Sequence, residues 1–187
     1  MKVNYNKIME DIIENLNYKP TLLLHACCGV CSSSVIERLI PYFNITILFY
    51  NPNLYPESEY VKRLNTQKEV LNNFDNVKLV ELGYLEKEFV VAGLENEPEG
   101  GKRCNKCFHI RLEKTAKYAK KHNYDFFSTT LSVSPHKNSE MLNKIGQILE
   151  EKYNIKYLYS DFKKKEGYKR SNELARKYNL YRQNYCG

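Results

Sequence analysis

The sequence predicts an α/β protein, an open parallel sheet with helices on both faces. Two observations predict it. TLLLHA at 21–26 and ITILFYN at 45–51 are apolar on both faces, the pattern of strands buried inside a parallel sheet. Stretches with apolar residues at helical spacing lie between and after them, so strands and helices alternate along the 187 residues.

Taken in order, residues 5–17 read as an amphipathic helix through Ile8, Ile12, Ile13 and Leu16, ended by Lys19-Pro20. TLLLHA is the first strand, and 32–42 a helix carrying Val35, Ile36, Leu39 and Ile40. With ITILFYN these complete a βαβ unit. Residues 57–74 read as a helix with Val61, Leu64, Leu71 and Phe74 on one side, and VKLVEL at 77–82 as a strand. RLEKTAKYAKKH at 111–122 reads as a helix and YDFFSTTL at 124–131 as a strand. Residues 138–153 read as a helix capped by Asn138 or Ser139. IKYLYSDF at 155–162 is extended, and SNELARKYNL is a last helix.

With 42% hydrophobic residues the chain has enough apolar mass for a single domain over 1–187. No apolar run is long enough to span a bilayer, and the polar, acidic N-terminus is unlike a secretory signal. A cytoplasmic protein with no membrane partner is therefore expected, and its six cysteines suit metal or redox chemistry better than a disulfide framework. The net charge of +7 is clustered, in Arg111–Lys121 and in Lys163, Lys164, Lys165, Lys169 and Arg170. Sixteen tyrosines accompany these cations. Together they suit nucleic acid, with cations on phosphates and rings on bases.

The cysteines carry the chemistry. HACCGVC follows the first strand at its carboxyl end, where open α/β sheets of the Rossmann-like kind bind ligands. Cys28 and Cys31 form one CxxC, and Cys104 and Cys107 a second in GGKRCNKCFHIR. Paired CxxC motifs fit either a structural zinc or an iron–sulfur cluster. The surplus of Cys27 and Cys186 favours redox or catalytic use. A thioredoxin-like dithiol would explain CGVC alone.

Cys186, after Tyr181, Arg182 and Gln183, could fold back over the sheet edge. Asn51, Asn53 and Tyr55 after the second strand, and Ser132, Ser134, His136 and Lys137 after the fourth, would line the same edge. His25 is either a satisfied core histidine or a ligand. No Gly-rich phosphate loop follows the first strand, which argues against ATP use.

HACCGVCS, YNPN-YP-EY-KR, EGGKRCNKCFHIRLEKTA, TTLSVSPHKN, YSDFKKKEGYKRS and LYRQNYCG occur in this order from about Leu22 onward. Together they closely resemble the cobalamin-independent epoxyqueuosine reductases of the QueH family. The resemblance implies a fold of the HUP, or adenine-nucleotide alpha-hydrolase-like, type with residues 1–20 as a helical extension before the core, 21–187. It implies reduction of epoxyqueuosine at the tRNA wobble position to queuosine, with an iron–sulfur centre. Cys27, Cys28, Cys104 and Cys107 match the family's metal-binding cysteines, implying a [4Fe-4S] cluster.

Cys31 is the expected site of a second adjacent iron or a redox thiol. Cys186, Cys31 and Tyr181 are candidate catalytic groups. Asn51, Asn53, Tyr55, Arg103, Ser132, Ser134, Lys137, Arg182 and Gln183 are candidates for substrate binding, and Lys163, Lys164, Lys165, Lys169 and Arg170 for the anticodon stem-loop. An external electron donor is implied, and no DNA. Many members continue past the glycine with a further cysteine that can pair with the one before it. Ending at Gly187 leaves a trimmed end, or a Cys186 that works alone or as a ligand. A sulfur-transfer enzyme on a related fold would need the missing ATP loop. A zinc-stabilised RNA-binding module leaves the matched blocks unexplained.

Overall fold

A computed structural model of the chain describes residues 3–90 and 92–186. Met1, Lys2, Val91 and Gly187 lie outside the described residues, and with them the expectation about the chain's end at Gly187.

Five parallel strands run β1 (Thr21–Ala26), β2 (Asn44–Phe49), β3 (Lys78–Glu81), β4 (Phe126–Thr129) and β5 (Lys156–Tyr157), in the spatial order β3-β2-β1-β4-β5. Side chains alternate across β1. Leu22, Leu24 and Ala26 enter one core layer and Leu23 the other. The three leucines are fully buried, each stabilising the fold by about 1.5–3 kcal/mol.

Helices cover both faces. On one lie α1 (Tyr5–Glu14), α2 (Gly29–Leu39), α3 (Glu57–Leu71) and α6 (Gly167–Lys177). On the other lie α4 (Lys102–Lys121) and α5 (Ser139–Tyr153). Asn4 caps α1, accepting from the Lys7 amide at 3.1 Å, and α1 seats Met9 in the core beside β1. Asn138 caps α5 through the Met141 amide at 3.1 Å.

Several expected boundaries shift. The helix expected from 111 begins at Lys102, so the second CxxC is helical rather than part of a loop. Only Lys156–Tyr157 of the extended 155–162 segment pairs in the sheet. The last helix begins at Gly167. Val61 faces solvent, while α3 turns Tyr60, Leu64 and Val70 inward together with the charged Glu59 and Arg63.

Two features position the site. The strand order reverses between β1 and β4, which opens a crevice beyond their carboxyl ends. α2 then starts tight against α3, because a Cβ on Gly29 would stand 2.6 Å from the Thr66 carbonyl oxygen. At the opposite end of the sheet Asp125 clasps the two strands. It accepts from the Thr21 amide and hydroxyl, each at 2.8 Å, and from the Tyr18 hydroxyl at 3.1 Å. Among the described residues no helix is long and apolar enough to cross a membrane.

A thiol-lined cleft as candidate active site

Three parts of the chain converge on the crevice. The turn from β1 into α2 supplies Cys27, Cys28 and Cys31. Cys28 is the N-cap residue, so Cys31 stands in the first turn of α2. The start of α4 supplies Cys104 and Cys107, three residues apart and therefore on one helical face. The C-terminal tail supplies Cys186. Cys27, Cys31, Cys104 and Cys186 line a cleft of about 510 Å³, while Cys28 and Cys107 are buried.

The tail is held by a buried ion pair on α3. Arg63, 1% exposed, binds Glu59 at 2.7 Å and donates to the carbonyls of Cys186 at 2.8 Å and Tyr185 at 3.0 Å. Its guanidinium lies 5.2 Å from the centre of the Tyr185 ring. The Tyr181 hydroxyl donates to Glu59 at 2.8 Å, and the Tyr185 hydroxyl to the Tyr55 carbonyl at 2.8 Å. Cys186 is thereby set against Lys137, whose Nζ is 3.0 Å from its Sγ and 3.4 Å from Glu99. Lys163 braces this side, donating to the carbonyls of Ser132 and Lys137, both at 3.0 Å.

The cleft wall is cationic. Arg63, Arg103, Arg111, Lys137 and Arg182 line it against one carboxylate, Glu99. Burial lowers the Lys137 pKa, but the neighbouring Cys186 thiol outweighs it and the net direction is upward. Arg111 is 1% exposed; its Nε donates to the Cys107 carbonyl at 3.2 Å and one terminal nitrogen has no partner. The hydrogen bond to Cys28 and burial push the Cys27 thiol up. The bond with Cys27 lowers Cys28, but Cys31 and burial raise it to about 12. These thiols are protonated at neutral pH, and binding a metal group would release their protons.

His25 is the satisfied core histidine, with Nδ1 3.0 Å from the Thr129 hydroxyl and Nε2 3.0 Å from the Tyr50 carbonyl. Burial and the Arg111 charge push its pKa down to about 3, so it is neutral.

The cleft gathers Arg103, Ser134, Lys137, Arg182 and Gln183 with the thiols, and leaves out several expected residues. Ser132 is fully buried and accepts from the Phe162 amide, which makes it a brace. Asn51 donates to the Ala26 carbonyl, and Asn53 is buried; neither lines the cleft. Tyr55 is 72% exposed and touches the tail from outside. Tyr181 donates its hydroxyl to Glu59 and does not line the cleft.

Of the expected RNA-facing cations, Lys163 is the brace just described. Lys165 pairs with Glu10, Lys169 with Glu166, and Arg170 with Glu37 and Glu173. Lys164 alone of the five is exposed and without a side-chain partner among the described residues. Arg111 is buried and leaves the basic helix face expected to meet RNA. Glu59, Arg63 and Tyr168 lie within the matched sequence blocks but were given no role, and Asn172 lies just outside them. A Glu–Arg pair four apart is the ordinary mark of an exposed helix, and no sequence signal told it from a buried one.

The family model for epoxyqueuosine reductase QueH matches residues 22–187. The chain belongs to the QueH epoxyqueuosine reductase family. Family members include that of Staphylococcus epidermidis, 44% identical over 198 residues covering 100% of this chain and 83% of the relative. The Thermotoga maritima member is 38% identical over 173 residues, covering 89% of this chain and 88% of its own. Among solved structures, the U34-tRNA thiolase NcsA from Methanococcus maripaludis with its [4Fe-4S] cluster superposes with a TM-score of 0.55 at 13% identity. The match covers 97% of this chain and 66% of that one. It shows the adenine-nucleotide alpha-hydrolase-like fold.

The donor set fits a thiolate-bound cluster. Four free thiols line the crevice, with Cys28 and Cys107 buried, beside a buried guanidinium with an unpaired nitrogen. Among the described residues no three His, Cys, Asp or Glu side chains gather about one point tightly enough for a single ion.

Proposed function

We propose that this cleft reduces epoxyqueuosine in the anticodon loop of tRNA to queuosine. The epoxide oxygen leaves as water, two electrons and two protons are consumed, and the two carbons it bridged become a double bond. The convergence of four thiols in a cleft with a cationic wall, with Cys28 and Cys107 buried, in a chain of the QueH family, carries the reading.

Cys27, Cys28, Cys104 and Cys107 would hold a [4Fe-4S] cluster. When bound, the cluster supplies electrons one at a time from an external donor. Cys31 remains the candidate for a second iron or a redox thiol, and no step is assigned to that iron. Cys186 is the candidate proton donor at the cleft, and Lys137 Nζ donates a hydrogen bond to its Sγ at 3.0 Å. Arg103, Arg182, Gln183 and Ser134 offer the donors that would orient the modified base and its backbone. The docked tail contributes Arg182, Gln183, Asn184, Tyr185 and Cys186 to the cleft wall.

The test is anaerobic purification with iron and acid-labile sulfide analysis, then incubation with epoxyqueuosine-containing tRNA and dithionite. Digested nucleosides read by mass spectrometry should lose one oxygen. Zinc without sulfide, or a Cys104→Ser protein that keeps both its cluster spectrum and full activity, overturns the proposal.

A further inference from the structure

We infer that Arg111 is the fixed counter-charge of the thiolate group in the cleft and raises the reduction potential of the cluster bound there. The inference rests on the cluster reading proposed above.

A guanidinium cannot shed its proton, so burying one is costly unless an anion faces it. Arg111 is 1% exposed and projects from α4, one turn beyond Cys107. Its Nε is satisfied by the Cys107 carbonyl, which is neutral, and one terminal nitrogen is left without a partner. Arg111 lines the cleft with Cys27, Cys31, Cys104 and Cys186. Among the described residues no ion pair joins it to a carboxylate, and Glu99, the carboxylate of the cleft wall, pairs with Lys137.

The two other buried cations of the cleft wall are already committed. Arg63 serves Glu59 and the tail carbonyls, and Lys137 serves Cys186 and Glu99. Protonated thiols are weak partners for a buried cation. Metal-bound thiolates are anionic, and a four-thiolate cluster gains one further negative charge on reduction. A fixed cation beside it favours the reduced state, which raises the potential.

The test compares wild-type, Arg111→Met and Arg111→Lys proteins, purified anaerobically with their iron. Mediated redox titration is followed by visible bleaching and electron paramagnetic resonance. The methionine protein is expected to be harder to reduce, its reduced-to-oxidised ratio falling at least tenfold at a fixed potential. For one electron this is a shift of about 59 mV to the negative. The lysine protein should titrate near wild type. A methionine protein that loads no cluster, beside a lysine protein that does, also supports the inference.

A methionine protein with the wild-type potential overturns it. Loss of the cluster from both variants assigns Arg111 to packing and overturns it as well. A wild-type protein without iron and sulfide removes the cluster reading itself, and the inference with it.

Discussion

Replacing Arg63 by methionine and Glu59 by glutamine together is expected to release the C-terminal tail while leaving the sheet folded. Arg63 gives the tail two hydrogen bonds, at 2.8 and 3.0 Å, and stacks 5.2 Å from the Tyr185 ring. Bonds from a charged donor contribute roughly 1.5–3 kcal/mol each. Losing about 3 kcal/mol of docking raises the undocked population about a hundredfold.

Trypsin reads this directly. Cleavage after Arg182 requires an extended, free segment, so its rate follows the undocked fraction. The double variant should be cut there about a hundredfold faster than wild type, with the rest of the chain equally resistant. Arg63→Met alone is a different perturbation. It strands Glu59, 5% exposed, and should cost about 3–5 kcal/mol of global stability. The glutamine partner relieves most of that loss. Wild-type cleavage kinetics at Arg182 in the double variant would refute the claim that Arg63 holds the tail.

Gly29→Ala is expected to destabilise the fold by about 1–3 kcal/mol, read as a lower denaturant midpoint, because α2 and α3 must separate around the Thr66 carbonyl. Burial would raise the Asp125 carboxyl, but hydrogen bonds from Thr21 and Tyr18 outweigh it, so its folded pKa lies below its unfolded value. Its contribution is therefore present above about pH 4 and lost as the pH falls through the folded value. Asp125→Asn should lower the unfolding midpoint at pH 7 and flatten the acid loss below pH 4; equal pH dependence in both proteins would sink this assignment. Lys164→Glu should weaken binding of the anticodon stem-loop and reduce its log–log salt slope by about one or more, measured by fluorescence anisotropy. An unchanged slope would move the RNA path away from the segment before α6.

What the sequence revealed divides along physical lines. β1, β2 and the α5 cap were legible because burial on both faces and an Asn cap leave local marks. The early start of α4 was not, since KRCNKCF shows no apolar stripe and the preceding glycines resemble a loop. The thiols were legible as a set because β1 ends at their first member. Their shared setting with Arg111 was not. That arginine sits among lysines that do face solvent, and only the packing of α4 on the sheet separates it from them. The pairing of Lys165 with Glu10 and of Arg170 with Glu37 joins segments far apart in the chain. No local pattern could have shown that those charges were already answered.

The cleft draws on widely separated stretches of chain, and this orders events during protein synthesis. Cys104 follows Cys31 by 73 residues and Cys186 follows it by 155. At 5–20 residues per second a ribosome takes roughly 8–30 s to cover the longer gap. For roughly the first half of that interval Cys27, Cys28 and Cys31 have neither β4 beside β1 nor Arg111 beside them. The nascent chain thus carries three unguarded thiols, and the four-thiolate set proposed above is complete only once synthesis has passed Cys107, beyond the middle of the chain.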